Sequence, residues 1–431
     1  MSSQKCRQGC LWVLWCLILR WLRQLHLISK NFYHRHCSCN LKLVAISFNH
    51  DTASLNGDAM NIRKNFTQVV SVPEWTPGIT LAADSPAAYA IKETQGNRIT
   101  IKASFTAGSN NVTRAEVRAR GGGVLGALDP QVVNFAGGVS VPAFVTFELK
   151  HHTIGVGGIK REDIKWIWEY RCCGGAEWEP LTITSHRIYI VLEEPKLPWK
   201  QQPYPDTQNP WTAALDQSCV WALGKTDRDG AASSVTSQVN ANLGLAYDNA
   251  SGAPAYETLP NCDKFELTQF LAYIANGTGL GNIVNCMDCA TITTTFSNLV
   301  GCDLHASKMG TFFALTPFRG IGSAVFACPG FGCGFSYHEV AWKGAHGNGD
   351  PLFDACLRVD GDTNPWAAPH SELLPVNIVF STNPGAALPL ATPFNAASYK
   401  ERLCTNNAGG IGSCNPIGPW PASSNGRRPV K

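Results

Sequence analysis

The chain has 431 residues, 44% of them hydrophobic and 16% charged, with a formal net charge of +3. A chain this long buries a large core without a metal or disulfide to hold it, and roughly 100–200 residues per domain points to two or three domains. The small net charge, with no dominant basic run, excludes nucleic acid as the main partner.

Residues 1–40 read as a leader. Lys5 and Arg7 precede an apolar run over 11–19, but Arg20, Arg23 and His26 follow at once and no small-residue cleavage site comes after them. The run is too short to span a bilayer. It is expected as a membrane-surface helix or an extended gene start in preference to a cleaved signal, so any membrane contact is expected here. Whether the protein works in the cytoplasm or in a secreted or envelope setting stays open. His34, His36, Cys37 and Cys39 resemble a metal cluster, but their place in a leader expected to be disordered argues against one.

Residues 41–198 read as β structure. The runs 99–105, 114–119, 144–149, 164–170 and 183–192 are rich in β-branched and aromatic residues, several alternating with period two. Gly, Asn and Ser clusters separate them. The spacing predicts an all-β sandwich, loosely immunoglobulin- or fibronectin-like. Trp166, Trp168 and Tyr170 share one face of their strand and are expected in its core.

Prolines 195, 198, 203 and 205 stiffen the next stretch and mark a boundary. Beyond it, residues 199–404 are expected to form an α+β domain. Helical spacing covers 211–223, 264–274 and 286–300, and strands are predicted over 335–343, 352–358 and 376–381. The tail 405–431, rich in Gly, Pro, Asn and Ser, is expected to be irregular.

The 17 cysteines are an odd number, so at least one stands outside intrachain pairing. Cys172, Cys173, Cys328, Cys333, Cys404 and Cys414 are candidates for disulfides in an oxidising compartment, or for reduced, buried thiols. Cys286 and Cys289 open the third predicted helix. Asn285 is a good N-cap, with Asp288 completing a box-like arrangement, and Gly301 stops the helix. Cys289 shares the apolar stripe with Ile292 and Phe296. Cys286 falls at the tip, where free N–H groups and the macrodipole favour negative charge and an oxyanion. Cys286 is the expected nucleophile.

A thiol nucleophile needs a base, and the base an orienting group. The strands carrying His338 and Asp354 flank a Gly- and Asn-rich loop with the character of a hairpin. A hairpin centred on residue 346 or 347 puts His338 directly opposite Asp354 or one diagonal step away on the same face.

Asn285-Cys286-Met287-Asp288-Cys289-Ala290 is similar to the Gly-x-Cys-x-Asp-x-Ala signature of transglutaminase-like proteins. His338-Glu339-Val340-Ala341-Trp342 resembles that family's His-x-Trp-x-Glu strand with its acidic and aromatic positions rearranged. Phe353-Asp354-Ala355 resembles its aspartate strand, and 210–222 looks like the helix before the core in bacterial members. The resemblance covers roughly 209–403. It implies a papain-like α+β fold with Cys286, His338 and Asp354 as a catalytic triad acting on a protein or peptide substrate by hydrolysis or amine transfer, as a cysteine protease, amidase or cross-linking acyltransferase would. It implies no cofactor and no metal, and points to Trp221 or Trp211 as a second oxyanion donor.

Three other readings compete. Cys286, Cys289, Cys328 and Cys333 are two pairs that a structural zinc ion would use, though 38 residues separate the pairs. Asp360, Asp362 and Asn364 begin like a calcium loop but lack its glycine and terminal Glu. A transglutaminase-like domain can also bind without turnover.

Overall fold

The computed structural model describes residues 39–431 except 52–56, 173–176, 200–205, 361–366, 371, 374–375, 381–398, 405–412 and 423–424. The leader expectations for 1–38, and those on Cys173, Asp362 and Asn364, lie outside the described residues. Among the described residues no helix is long and apolar enough to cross a membrane.

The fold is a sheet-rich α+β arrangement. Its first part holds β1 (Lys42–Ser47), β2 (Pro86–Ala90), β3 (Thr100–Thr106), β4 (Arg114–Gly121), β5 (Leu128–Ala136), β6 (Val139–Val141), β7 (Val145–Glu148), β8 (Lys160–Cys172) and β9 (Glu179–Val191). They form one hydrogen-bonded sheet in the order β1-β3-β6-β5-β4-β8-β9-β2, with β7 on β3. A two-sheet sandwich was expected. The single bridge Thr106↔Val139 instead joins β3 to β6, so the sheet is continuous and curls over its own core. The alternating pattern still decides which side chains face inward. Trp166 and Trp168 are fully buried, and Phe105 and Phe147 pack on Trp168 from β3 and β7.

Two apolar cores meet at the edge of this sheet. On β2, Ala87 and Tyr89 belong to the sheet's own core, whereas Ala88 and Ala90 face the second; on β9, Ile188 and Ile190 divide from Tyr189 and Val191 in the same way. Side chains alternate across a strand, so these two strands serve as the wall between the cores.

The second core surrounds α1 (Thr212–Trp221), α2 (Arg228–Asn242), α3 (Leu267–Asn276) and α4 (Cys286–Leu299). Every residue of α4 is buried, which explains how a Thr-rich segment stays helical: packing overrides its weak propensity. Gly301 follows at φ +99°, where a Cβ would lie 2.9 Å from that of Glu193. The unpredicted α2 contains Gly230, Ser233 and Ser234. It is capped by Asp227 and buries Ala231, Ala232, Val235, Thr236 and Val239 on one face, packed against α4. Tertiary contact, not local propensity, makes it helical.

A five-stranded sheet packs on α4, ordered β20 (Val376–Val379), β17 (Pro351–Phe353), β16 (His338–Trp342), β12 (His305–Met309) and β21 (Pro416–Pro419). The tail was expected to be irregular, but β21 pairs with β12, and Arg428 and Val430 are buried. Gly and Pro tolerate an edge strand, and the buried ion pairs of Arg428 anchor the chain end beyond it. Small strand pairs complete this part: β10 (Ala246–Tyr247) with β11 (Ile283–Val284), β13 (Phe313–Ala314) with β15 (Gly334–Phe335), and β14 (Phe318–Gly320) with β18 (Leu357–Asp360) and β19 (Glu372–Leu373).

Candidate active site

The tip of α4 is built by a reciprocal cap. Asn285 Oδ1 accepts from the N–H groups of Met287 (2.9 Å) and Asp288 (3.2 Å), and Asp288 accepts from the N–H of Asn285 at 3.0 Å. Asp288 also takes the N–H groups of Ala255 and Tyr256 at 2.9 and 2.7 Å, pinning that loop beside the helix. Burial pushes its carboxyl up to about 6, against the pull of the three N–H donors. The cap thus occupies two of the N–H groups expected to serve an oxyanion. What remains is the N–H of Cys286 itself, whose position at the start of a helix gives it no carbonyl four residues back.

His338 opens β16 and Asp354 follows β17. The pairing Ala341↔Phe353 and Trp342↔Leu352 is the register of a hairpin centred on 347, which sets His338 and Asp354 one diagonal step apart. His338 Nε2 lies 2.8 Å from Asp354 Oδ2, both side chains buried. The predicted strand 352–358 is broken here, because Asp354 Oδ1 turns back to accept from the N–H groups of Cys356 (2.8 Å) and Leu357 (3.1 Å). Burial alone would lower the His338 pKa. The charge and hydrogen bond of Asp354, then the neighbouring Cys286, overcome it and raise the group to about 10. With Nε2 on Asp354, Nδ1 is buried and has no hydrogen-bond partner. It is the ring atom left to face Cys286.

Tyr399, missed by sequence reasoning, donates its hydroxyl to Asp354 Oδ2 at 2.5 Å. It opens the short helix α5 (Tyr399–Leu403), and a lone Tyr in an Ala- and Ser-rich stretch carries no local signal. Tyr399→Phe is expected to cost about 1 kcal/mol of stability and to lower kcat several-fold with KM held, read by steady-state kinetics and denaturant unfolding.

Other buried thiols are held protonated. At Cys289 a hydrogen bond with Cys356 lowers the pKa, but burial prevails and the net shift is upward. Burial raises Cys356 and Cys302 as well. Cys328 and Cys333 are bonded to each other, which removes two ligands from the zinc reading, and Cys39–Cys172 and Cys404–Cys414 are also disulfides. Asp360, at the head of the calcium-like stretch, pairs with His370 at 2.6 Å.

The two tryptophans expected near the thiol are engaged elsewhere. Trp211 donates its indole N–H to Thr207 and packs edge-on to Trp199. Trp221 packs on Phe296, ten residues along α4 from Cys286 and so about 15 Å up the helix. Two tyrosines border the thiol: Tyr337, whose hydroxyl donates to Met287 Sδ at 2.9 Å, and Tyr247. On β10 it pairs in parallel with Val284, two residues before Cys286. Burial first, then the charge of Cys286, push the Tyr247 hydroxyl far up, so it remains a donor.

A buried ion cluster backs the site. Arg428 Nη1 donates to Glu339 Oε1 at 2.6 Å and to Thr291 Oγ1 at 2.7 Å, tying β16 to α4 one residue after His338. Its Nε lies 2.8 Å from Glu257 Oε2 but donates to the Cys262 carbonyl. Glu257 therefore has the charge of Arg428 nearby without its hydrogen bond, and burial raises its pKa well above the ordinary range. The sequence signal was Glu339 itself, a charged residue directly before the apolar run Val340 to Trp342.

No protein-family model and no curated protein matches the chain. Among solved structures it is similar to a crystal structure of red sea bream transglutaminase, with a TM-score of 0.32 and 11% identity over 64% of this chain and 50% of that one. The chain thus spans about half the length of that enzyme.

Proposed function

We propose that this chain is a transglutaminase-like thiol enzyme that transfers acyl groups from a carboxamide or peptide carbonyl, with Cys286 as nucleophile, His338 as its acid–base partner and Asp354 orienting His338. The observation that carries this reading is the buried 2.8 Å pair of His338 and Asp354 beside the capped tip of α4, with Nδ1 unpartnered. The sequence motifs around Cys286, His338 and Asp354 support it independently.

In this reading Cys286 gives its thiol proton to His338 Nδ1, and its Sγ bonds to the carbonyl carbon as the C=O π bond opens. The oxyanion takes hydrogen bonds from the N–H of Cys286 and the hydroxyl of Tyr247. Collapse breaks the C–N bond, and His338, held as an imidazolium by Asp354, gives its proton to the departing amine. A thioester remains on Cys286. Water or a second amine then attacks the thioester carbonyl while His338 takes its proton; the C–S bond breaks and that proton restores the Cys286 thiol, giving hydrolysis or an amide cross-link.

The test is iodoacetamide labelling near neutral pH followed by peptide mapping, alongside a screen of peptide cleavage, glutamine deamidation and amine incorporation. Cys286 is expected to be labelled ahead of Cys289 and Cys302, and Cys286→Ser to remove every activity the screen finds. Equal labelling of the three thiols, unchanged by His338→Ala, would sink the reading in favour of a binding protein.

A further inference from the structure

We propose that the turn 320–323, which is hydrogen-bonded to Tyr247, divides a two-pocket subsite that reads an acidic side chain near the reactive carboxamide of a peptide substrate. This rests on the reading of Cys286 as the acyl-accepting thiol. Tyr247, next to that thiol, gives its backbone N–H to the carbonyl of Ile321 at 2.8 Å. Its ring is a wall of a cavity of about 240 Å³ that Phe318, Val325 and Cys328 also line. The turn has φ +76° at Gly322, where a Cβ would strike the Leu245 carbonyl at 2.6 Å, so it lies flat against β10. On its other side is a second cavity of about 270 Å³, lined by Arg319, Arg358 and Asn240. Gly320, Ile321, Gly322 and Ser323 are common to both linings.

The second cavity has an unusual charge arrangement. Arg319 and Arg358 are directly opposed in the antiparallel pair β14–β18. Like charges at that position destabilise a sheet modestly, and an anion between them offsets the repulsion. Glu372 serves both guanidiniums, bonding Arg358 Nη1 at 2.7 Å and Arg319 Nη1 as well. Glu372 is shared between the two guanidiniums, and the next carboxylate on this face, Asp360 opposite Glu372, is buried and pairs with His370. Among the described residues the arginines, 23% and 20% exposed, therefore keep N–H groups on the cavity wall. Their position is set in advance: Arg358 Nε donates to Asn240 Oδ1 at 2.9 Å, and Asn240 Nδ2 to the carbonyl of Ala355, next to Asp354, at 2.8 Å. A fixed guanidinium with N–H groups to spare is a carboxylate receptor. The first cavity, bounded by rings and small residues, fits the chain around the carboxamide. An extended peptide crossing the turn delivers an acidic side chain to the arginines.

The experiment uses Cys286→Ser full-length protein and short fluorescent peptides, each with one glutamine and one Asp moved through the flanking positions, against an Asp-free control. Anisotropy measures binding, so the result does not depend on turnover. One or two Asp placements are expected to bind about 3–10-fold tighter than the control, the range for a partly screened charge pair. Arg319→Gln should shrink that ratio towards one, and Glu372→Gln, which frees both guanidiniums, should enlarge it. Opposite signs from two substitutions in one ion cluster separate recognition from local unfolding, which would move both the same way. Equal binding of all peptides, or a ratio indifferent to both variants, overturns the subsite. Parallel assays on the unsubstituted protein keep the two questions apart: acidic preference in binding without any acylation of Cys286 would leave the subsite standing and remove the enzyme.

Discussion

Asp354→Asn is expected to lower turnover through Cys286 by on the order of 10²–10⁴-fold while the fold persists, because general acid–base assistance is of that size and depends on ring orientation. The environment of residue 354 dictates how the new amide would sit. Oδ1 is held by two backbone N–H groups, from Cys356 and Leu357, so the amide oxygen takes that place and the NH2 group faces His338. A donor there forces Nε2 to become an acceptor and puts the ring proton on Nδ1. It also removes the negative charge that, with its hydrogen bond, does most to raise His338, leaving burial to lower the ring against Cys286 alone. The imidazolium is lost, and with it the proton for the leaving amine.

The same substitution has a pH signature. His338 rises from 6.5 to about 10 on folding, so its contribution to stability is complete below pH 6.5 and is lost as pH climbs through about 10. Denaturant midpoints of the native chain should therefore decline across that window. In Asp354→Asn the decline should flatten, and imidazole NMR should find His338 neutral at pH 7. An unchanged slope together with unchanged turnover would show that Asp354 does not govern His338.

Arg428→Met is expected to destabilise the protein by about 3–5 kcal/mol, the cost of leaving a buried charge without its partner. Arg428, Glu339 and Glu257 are all fully buried, so water cannot replace the guanidinium. The loss should reach the site too, since Arg428 joins β16 to α4 through Glu339 and Thr291. Adding Glu339→Gln to Arg428→Met should recover part of the stability by removing the stranded carboxylate. A change under about 1 kcal/mol for Arg428→Met in denaturant unfolding would mean that the cluster is not an ion pair at all.

Elements and relations close in the chain were legible in the sequence. The caps at Asn285 and Gly301 bound α4 because capping is settled within a few residues. His338 and Asp354 meet because a short hairpin has only two central registers, and both bring the pair to one face. Burial along β8 followed from period-two alternation. The sequence did not reveal α2, whose serines and glycine are made helical only by packing on α4, nor the break at Asp354, where a side chain competes with the strand ladder for backbone donors. The tail's Gly/Pro-rich composition gave no hint of the buried Arg428, since composition reports average solvation and not a single ion pair.

Sequence by itself determined the sheet-rich start, the buried helix headed by Cys286 and the hairpin that joins His338 to Asp354. Tertiary structure decided what surrounds them. Tyr399 reaches Asp354 from 45 residues away and Arg428 reaches Glu339 from 89; Tyr247, not Trp211 or Trp221, borders the thiol. The physical reason is common to all three. A strand period or a helix cap is set by neighbouring backbone geometry, whereas a buried polar group takes whichever partner the packed chain brings within hydrogen-bonding distance, and nothing local in the sequence names it.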